Sequence, residues 1–160
     1  MFSQTQNSQY SNDGRNHFDQ RPAPQPANSN QQLILLVEDN TDNCTMLRTL
    51  LELWSYRVIE AHNGEDAVNL AKSESPNLVL MDVAIPVVDG VEATRRIREF
   101  ASLEAMPVVF ISGYAQKGFR LMALASGGND YLVKPIDFKE LETMIDKYVK
   151  KTGNACGLYE

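Results

Sequence analysis

Five short apolar runs limit what this chain can fold into. They are Leu33-Ile34-Leu35-Leu36-Val37, Arg57-Val58-Ile59, Leu78-Val79-Leu80-Met81, Val108-Val109-Phe110-Ile111 and Tyr131-Leu132-Val133. Apart from the weaker second run they are continuously apolar, which is the signature of parallel strands covered on both faces rather than strands with one wet face. The segments between them carry helical spacing instead. Cys44, Leu47, Leu51 and Trp54 form one stripe, and Phe138, Leu141, Ile145 and Tyr148 form another. Asp89 with Glu92, and Asp137 with Glu140, read as acidic N-caps followed three residues later by a returning Glu. Strands and helices alternating five times over about 120 residues predict an α/β fold, a doubly wound five-stranded parallel sheet with five helices.

Residues 1–32 have a different character. They hold seven Gln, five Asn, and Pro22, Pro24 and Pro26, with few aliphatic side chains, so they are expected to be a disordered polar tail. The expected domain is 33–151, and 152–160 is a short C-terminal tail. The chain carries 15 Lys+Arg against 21 Asp+Glu, a net charge of -6. Arg15 and Arg21 cancel Asp13 and Asp19 in the tail, so the acidic excess belongs to the folding part. That balance argues against direct nucleic-acid binding, which rests on clustered cations. The longest strongly apolar run falls far short of the roughly 20 residues that span a bilayer, and the expected location is cytoplasmic, without a membrane. Cys44 and Cys156 are too few for a disulfide framework and are not in metal-type spacing.

In an open parallel sheet, ligands bind beyond the carboxyl ends of the strands. Here those ends deliver Glu38 and Asp39 after the first run, Asp82 after the third, Ser112 after the fourth, and Lys134-Pro135 after the fifth. Taken singly, each is an ordinary cap, turn or surface residue. Strand order does not follow from spacing. If the first and third strands are neighbours, three carboxylates converge with a hydroxyl and an ammonium beside them. Two such charges about 4 Å apart repel by about 4 kcal/mol at an effective dielectric of about 20. A hard dication with oxygen ligands relieves this, and Mg²⁺ suits a site of few carboxylates. Zinc does not, because neither His17 nor His62 has a ligand-spaced partner. Asp82 beside such a cation and Lys134 is arranged to take a phosphoryl group, the product being an aspartyl phosphate.

The sequence from Leu33 to Lys150 resembles the response regulator receiver domains of two-component phosphorelay signalling. The motifs are Leu33-Ile-Leu-Leu-Val-Glu-Asp39, Leu80-Met-Asp-Val-Ala-Ile-Pro-Val-Val-Asp-Gly90, Val109-Phe-Ile-Ser-Gly113 and Asp130-Tyr-Leu-Val-Lys-Pro135. The resemblance implies the flavodoxin-like receiver fold and a single-domain, chemotaxis-regulator-like protein that catalyses only its own phosphorylation and dephosphorylation. It implies that Asp82 accepts phosphate from a sensor histidine kinase or a histidine phosphotransfer protein. Mg²⁺ is then held by Glu38, Asp39, Asp82 and the main-chain carbonyl of Ala84. Lys134 and Ser112 bind phosphoryl oxygens, Ser112 and Tyr131 act as switch residues, and the Lys134-Pro135 bond is cis. A downstream protein docks on the fourth helix, fifth strand and fifth helix, around Gly118 to Lys147. Glu38 stands where Asp is also common, and Ala84 and Tyr114 border the phosphoryl site where the family varies. Two other readings stay open: a Mg²⁺-dependent phosphatase with an aspartyl nucleophile, and a binding module independent of phosphorylation.

Overall fold

A computed structural model describes residues 31–149. The expected tail over 1–32 therefore falls almost wholly outside the described residues, as do 152–160 and Cys156. The elements run β1 (Leu33–Val37), α1 (Thr41–Leu53), β2 (Arg57–Ala61), α2 (Gly64–Glu74), β3 (Leu78–Asp82), α3 (Gly90–Arg98), a 3₁₀ turn (Ala101–Leu103), β4 (Val108–Ser112), α4 (Lys117–Ala125), β5 (Asp130–Val133) and α5 (Phe138–Tyr148). The strands form one parallel sheet in the order β2-β1-β3-β4-β5. The doubly wound sheet with five helices is thus present. No helix among the described residues is long and apolar enough to cross a membrane.

The period-2 alternation of a strand divides each apolar run between two cores. Leu35, Val37, Val79, Met81, Val108 and Phe110 face α2, α3 and α4 through Ala67, Ala71, Ala93, Ile97 and Ala123. Ile34, Leu36, Leu78, Leu80, Val109 and Ile111 face α1 and α5 through Cys44, Leu47, Leu51, Leu141 and Ile145. This explains why the three central strands are continuously apolar. β2 reads weakly because it is an edge strand; it also extends to Ala61, taking in Glu60, whose carboxylate pairs with Arg48 at 3.1 Å.

Local signals start the helices. The Asp89 side chain accepts from the Glu92 amide, and that of Asp137 accepts from the Lys139 and Glu140 amides. Glu92 does not return to its cap; its carboxylate reaches Arg95 and Arg96 instead. Asn40 and Asn63 cap α1 and α2 in the same way, as residues that favour the N-cap position do. Two stripe residues depart from expectation. Trp54 lies past the end of α1 and is only partly buried, and Phe138 is 44% exposed at the first turn of α5.

The approach of α3 to β3 leaves no room for a side chain at Gly90. A Cβ there would lie 2.2 Å from the Asp82 main-chain oxygen and 2.9 Å from Met81 Cγ. Gly90→Ala is expected to lower stability by about 1–3 kcal/mol through overpacking, read from the urea midpoint. An unchanged midpoint would mean that this approach is looser than the geometry has it.

Candidate functional site

The chain reverses its direction across the sheet between β1 and β3, and the crevice at that point holds the acidic residues. Val37 pairs with Met81 in register, so Glu38 and Asp82 follow side by side at the strand ends, on strands about 4.8 Å apart. Carboxylate oxygens of Glu38, Asp39 and Asp82 all lie within 4.8 Å of one another. Asp39 is exposed, whereas Glu38 and Asp82 are 2% and 5% exposed.

Lys134, the residue after β5, reaches across to this group. Its Nζ donates to Glu38 Oε2 at 2.8 Å and to Asp82 Oδ2 at 2.6 Å. The opposite oxygens take backbone donors: the Asn40 amide donates to Glu38 Oε1 at 3.1 Å, and the Ala84 amide to Asp82 Oδ1 at 2.9 Å. The Lys134 amide donates to the Ser112 carbonyl, and the Lys134-Pro135 bond is cis. Burial alone would depress the lysine, but its hydrogen bonds to Asp82 and Glu38, together with their charges, outweigh that and raise its pKa above the ordinary value. His62, the residue after β2, sets its Nδ1 3.0 Å from the Glu38 carbonyl oxygen, a contact that places a proton on Nδ1.

Ser112 and Tyr131 form a second group. Ser112 is fully buried, and its hydroxyl accepts from the Tyr114 amide at 3.1 Å. Tyr131 is buried, and its hydroxyl donates to the Tyr114 carbonyl at 2.7 Å. The structure therefore gathers Glu38, Asp39, Asp82 and Lys134, while Ser112 and Tyr131 meet at the main chain of Tyr114. Ala84 is exposed and contributes its amide to Asp82. The meeting of Ser112 and Tyr131 at Tyr114 and the contact of His62 with Glu38 were not foreseen, because both run through backbone atoms.

The donors in the acidic group are all oxygen. Three carboxylates against one ammonium leave a local charge of about -2, which a hard dication with oxygen ligands matches. On the face of α4, β5 and α5, Asp130 binds Lys147 at 3.0 Å and lies 3.7 Å from Arg120.

A sheet of this order with this acid cluster defines a class, and sequence comparison agrees. The chain belongs to the response regulator receiver domain family, whose model matches residues 34–146. It is 40% identical over 118 residues to an uncharacterized 14.6 kDa protein in the sodA1 3' region of Leptolyngbya boryana, covering 74% of this chain and 90% of that one. It is 36% identical to Protein PilH of Pseudomonas aeruginosa, covering 68% and 89%. Among solved structures, the receiver domain of sensor histidine kinase PA1611 from Pseudomonas aeruginosa aligns with a TM-score of 0.70 at 37% identity, covering 74% of this chain and 97% of that one. That structure has a magnesium ion coordinated in its active site cleft. The chain spans 26% of some longer transcriptional regulators that it also matches.

Two outcomes follow from the ion pairs. Lys134→Met leaves Glu38 and Asp82 without their shared cation and should lower stability by about 2 kcal/mol or more, and adding Glu38→Gln should recover part of the loss in urea denaturation. Burial alone would raise the pKa of Asp130, but the hydrogen bonds from Lys147, the Tyr131 amide and Tyr148, with the Lys147 charge, hold it below the usual carboxylate value. A depressed native pKa gives stability that is present above the unfolded value and lost as pH falls through the native one. Asp130→Asn should therefore be less stable than the parent at pH 7, and thermal melts should show the gap closing as the pH drops below the carboxylate range.

Proposed function

We propose that this chain is a response regulator, its receiver domain spanning 33–151, that accepts a phosphoryl group on Asp82 in a Mg²⁺-dependent reaction and thereby changes its affinity for a protein partner. The observation that carries this is Lys134 bridging Glu38 and Asp82, with Asp39 alongside, where the sheet reverses direction. Glu38, Asp39 and Asp82, with the Ala84 carbonyl, hold Mg²⁺. When bound, it supplies positive charge to the oxygens of the phosphoryl group being transferred.

An Asp82 carboxylate oxygen attacks phosphorus in a phosphohistidine on a sensor kinase or phosphotransfer protein. The P–N bond breaks, the electron pair leaves with the imidazole, and an acyl phosphate forms on Asp82. Lys134 then exchanges a carboxylate partner for a phosphoryl oxygen, keeping its charge satisfied. Ser112 gives up the Tyr114 amide and donates to a second phosphoryl oxygen. Tyr131 is the second switch residue, its hydroxyl gripping the same Tyr114 segment that Ser112 releases, so one new charge cluster biases a two-state element. The α4, β5 and α5 face, around Gly118 to Lys147, receives the downstream protein. Family membership and the magnesium in the PA1611 receiver support this reading, as does the oxygen-only donor set.

Incubation with acetyl phosphate and Mg²⁺ is expected to give one base-labile, acid-stable phosphoryl group per chain, abolished by Asp82→Asn. Labelling of Asp82→Asn to the same stoichiometry, or repeated turnover of a phosphate monoester, would rule the reading out. Mg²⁺ should also raise the melting temperature by mass action. Asp39→Asn should weaken the apparent Mg²⁺ affinity roughly tenfold by removing a ligand charge.

A further inference from the structure

Tyr114 joins the site to α4. Its amide is held by Ser112 Oγ at 3.1 Å and its carbonyl by the Tyr131 hydroxyl at 2.7 Å, so both hydroxyls grip one peptide segment. Its ring lies on the ring of Phe119, with centroids 4.6 Å apart and planes 17° from parallel. Phe119 belongs to the first turn of α4, and that helix is weakly anchored. Ala123 is its buried residue, and Gln116 at the N-cap gives no side-chain bond to the first turn. Gly118 has open space where a Cβ would stand, so no close approach requires glycine there, and the residue lowers helix propensity in that same turn. With so little burial, the formation of α4 lies at the low end of local stability, where a single added contact shifts populations.

We propose, resting on the reading of Asp82 as phosphoryl acceptor, that the Tyr114–Phe119 stack is a positioning element. It carries the state of the Ser112 and Tyr131 hydroxyls to α4 and governs how Phe119, Leu121 and Met122 are presented to a partner. These three side chains are 36%, 57% and 44% exposed. When the Ser112 hydroxyl turns to a phosphoryl oxygen, the Tyr114 amide loses its acceptor and residues 112–114 re-form around the remaining Tyr131 bond. A near-parallel pair at this distance cannot slide far without losing ring overlap, so movement of Tyr114 is passed to the first turn of α4. An aromatic pair biases an equilibrium by about two- to tenfold. A cleft of about 330 Å³ beside the stack is lined by Ala84 and Asp89 of the β3–α3 connection as well as by Tyr114, Phe119 and Met122. Segments following Asp82 and Ser112 thus share this wall.

The test is hydrogen exchange of the amides of residues 117–125 in the full chain, with and without Mg²⁺ and beryllofluoride as the phosphoryl mimic. In the parent, the mimic should raise the melting temperature and change α4 exchange. In Phe119→Ala the rise in melting temperature should persist, while the α4 response falls by about threefold or more. Phe119→Leu, apolar but unable to stack, should behave as Phe119→Ala does, and Phe119→Tyr should restore the response. Phe119 is more than one third exposed, so its variants are expected to fold. A full α4 response in Phe119→Ala, with the mimic bound, overturns this inference alone. A parent that shows neither a rise in melting temperature nor a change in exchange overturns the phosphoryl-acceptor reading and this inference with it.

Discussion

Repulsion between carboxylates at the end of a parallel sheet is the constraint around which the upper face of this domain is organised. Glu38 and Asp82 are nearly inaccessible to water and follow paired residues of adjacent strands, so neither can move away without disturbing the sheet. Lys134 reconciles them from the far edge, crossing from the end of β5 to reach both at hydrogen-bond distance. The desolvation of the ammonium is outweighed by the two acids it meets. The remaining charge on Asp39 faces solvent, where an incoming cation can reach it.

The layers beneath make this possible through close packing. Alternate residues of the same strand fill opposite cores, so the central strands β1, β3 and β4 are clamped from both faces and hold their last residues at fixed height. α3 presses its first residue, Gly90, against the Asp82 carbonyl and adds to that clamp. α4 is the contrast, with a single buried residue and no side-chain cap. Closely packed strands thus end beside a helix with little burial, an element at the low end of local stability.

The legible part of the sequence was the part written in local chemistry. Continuous apolar runs announced buried parallel strands, and Asp89 and Asp137 announced helix starts that the amides of Glu92, Lys139 and Glu140 confirm. The end of β2 is not legible in its residues, because an edge strand tolerates Glu60, whose polarity looks like a loop. Phe138 misled because one face of a terminal turn can carry an apolar ring without burying it. The meeting of Ser112 and Tyr131 at Tyr114 was invisible, since it is made by a backbone amide and carbonyl that no residue type encodes.

The sequence by itself therefore determined the strands, the helices between them and which polar residue closes each strand, because burial pattern and side-chain type are properties of short segments. Tertiary structure alone decided that β1 and β3 are neighbours, and with that adjacency that Glu38, Asp39 and Asp82 share one crevice. It also decided that Lys134 spans two acids rather than one, and that Tyr114 stacks on α4. The reason is physical. Strand order arises from how whole layers bury their faces, and a contact such as that between residues 38 and 134 exists only once those layers have closed.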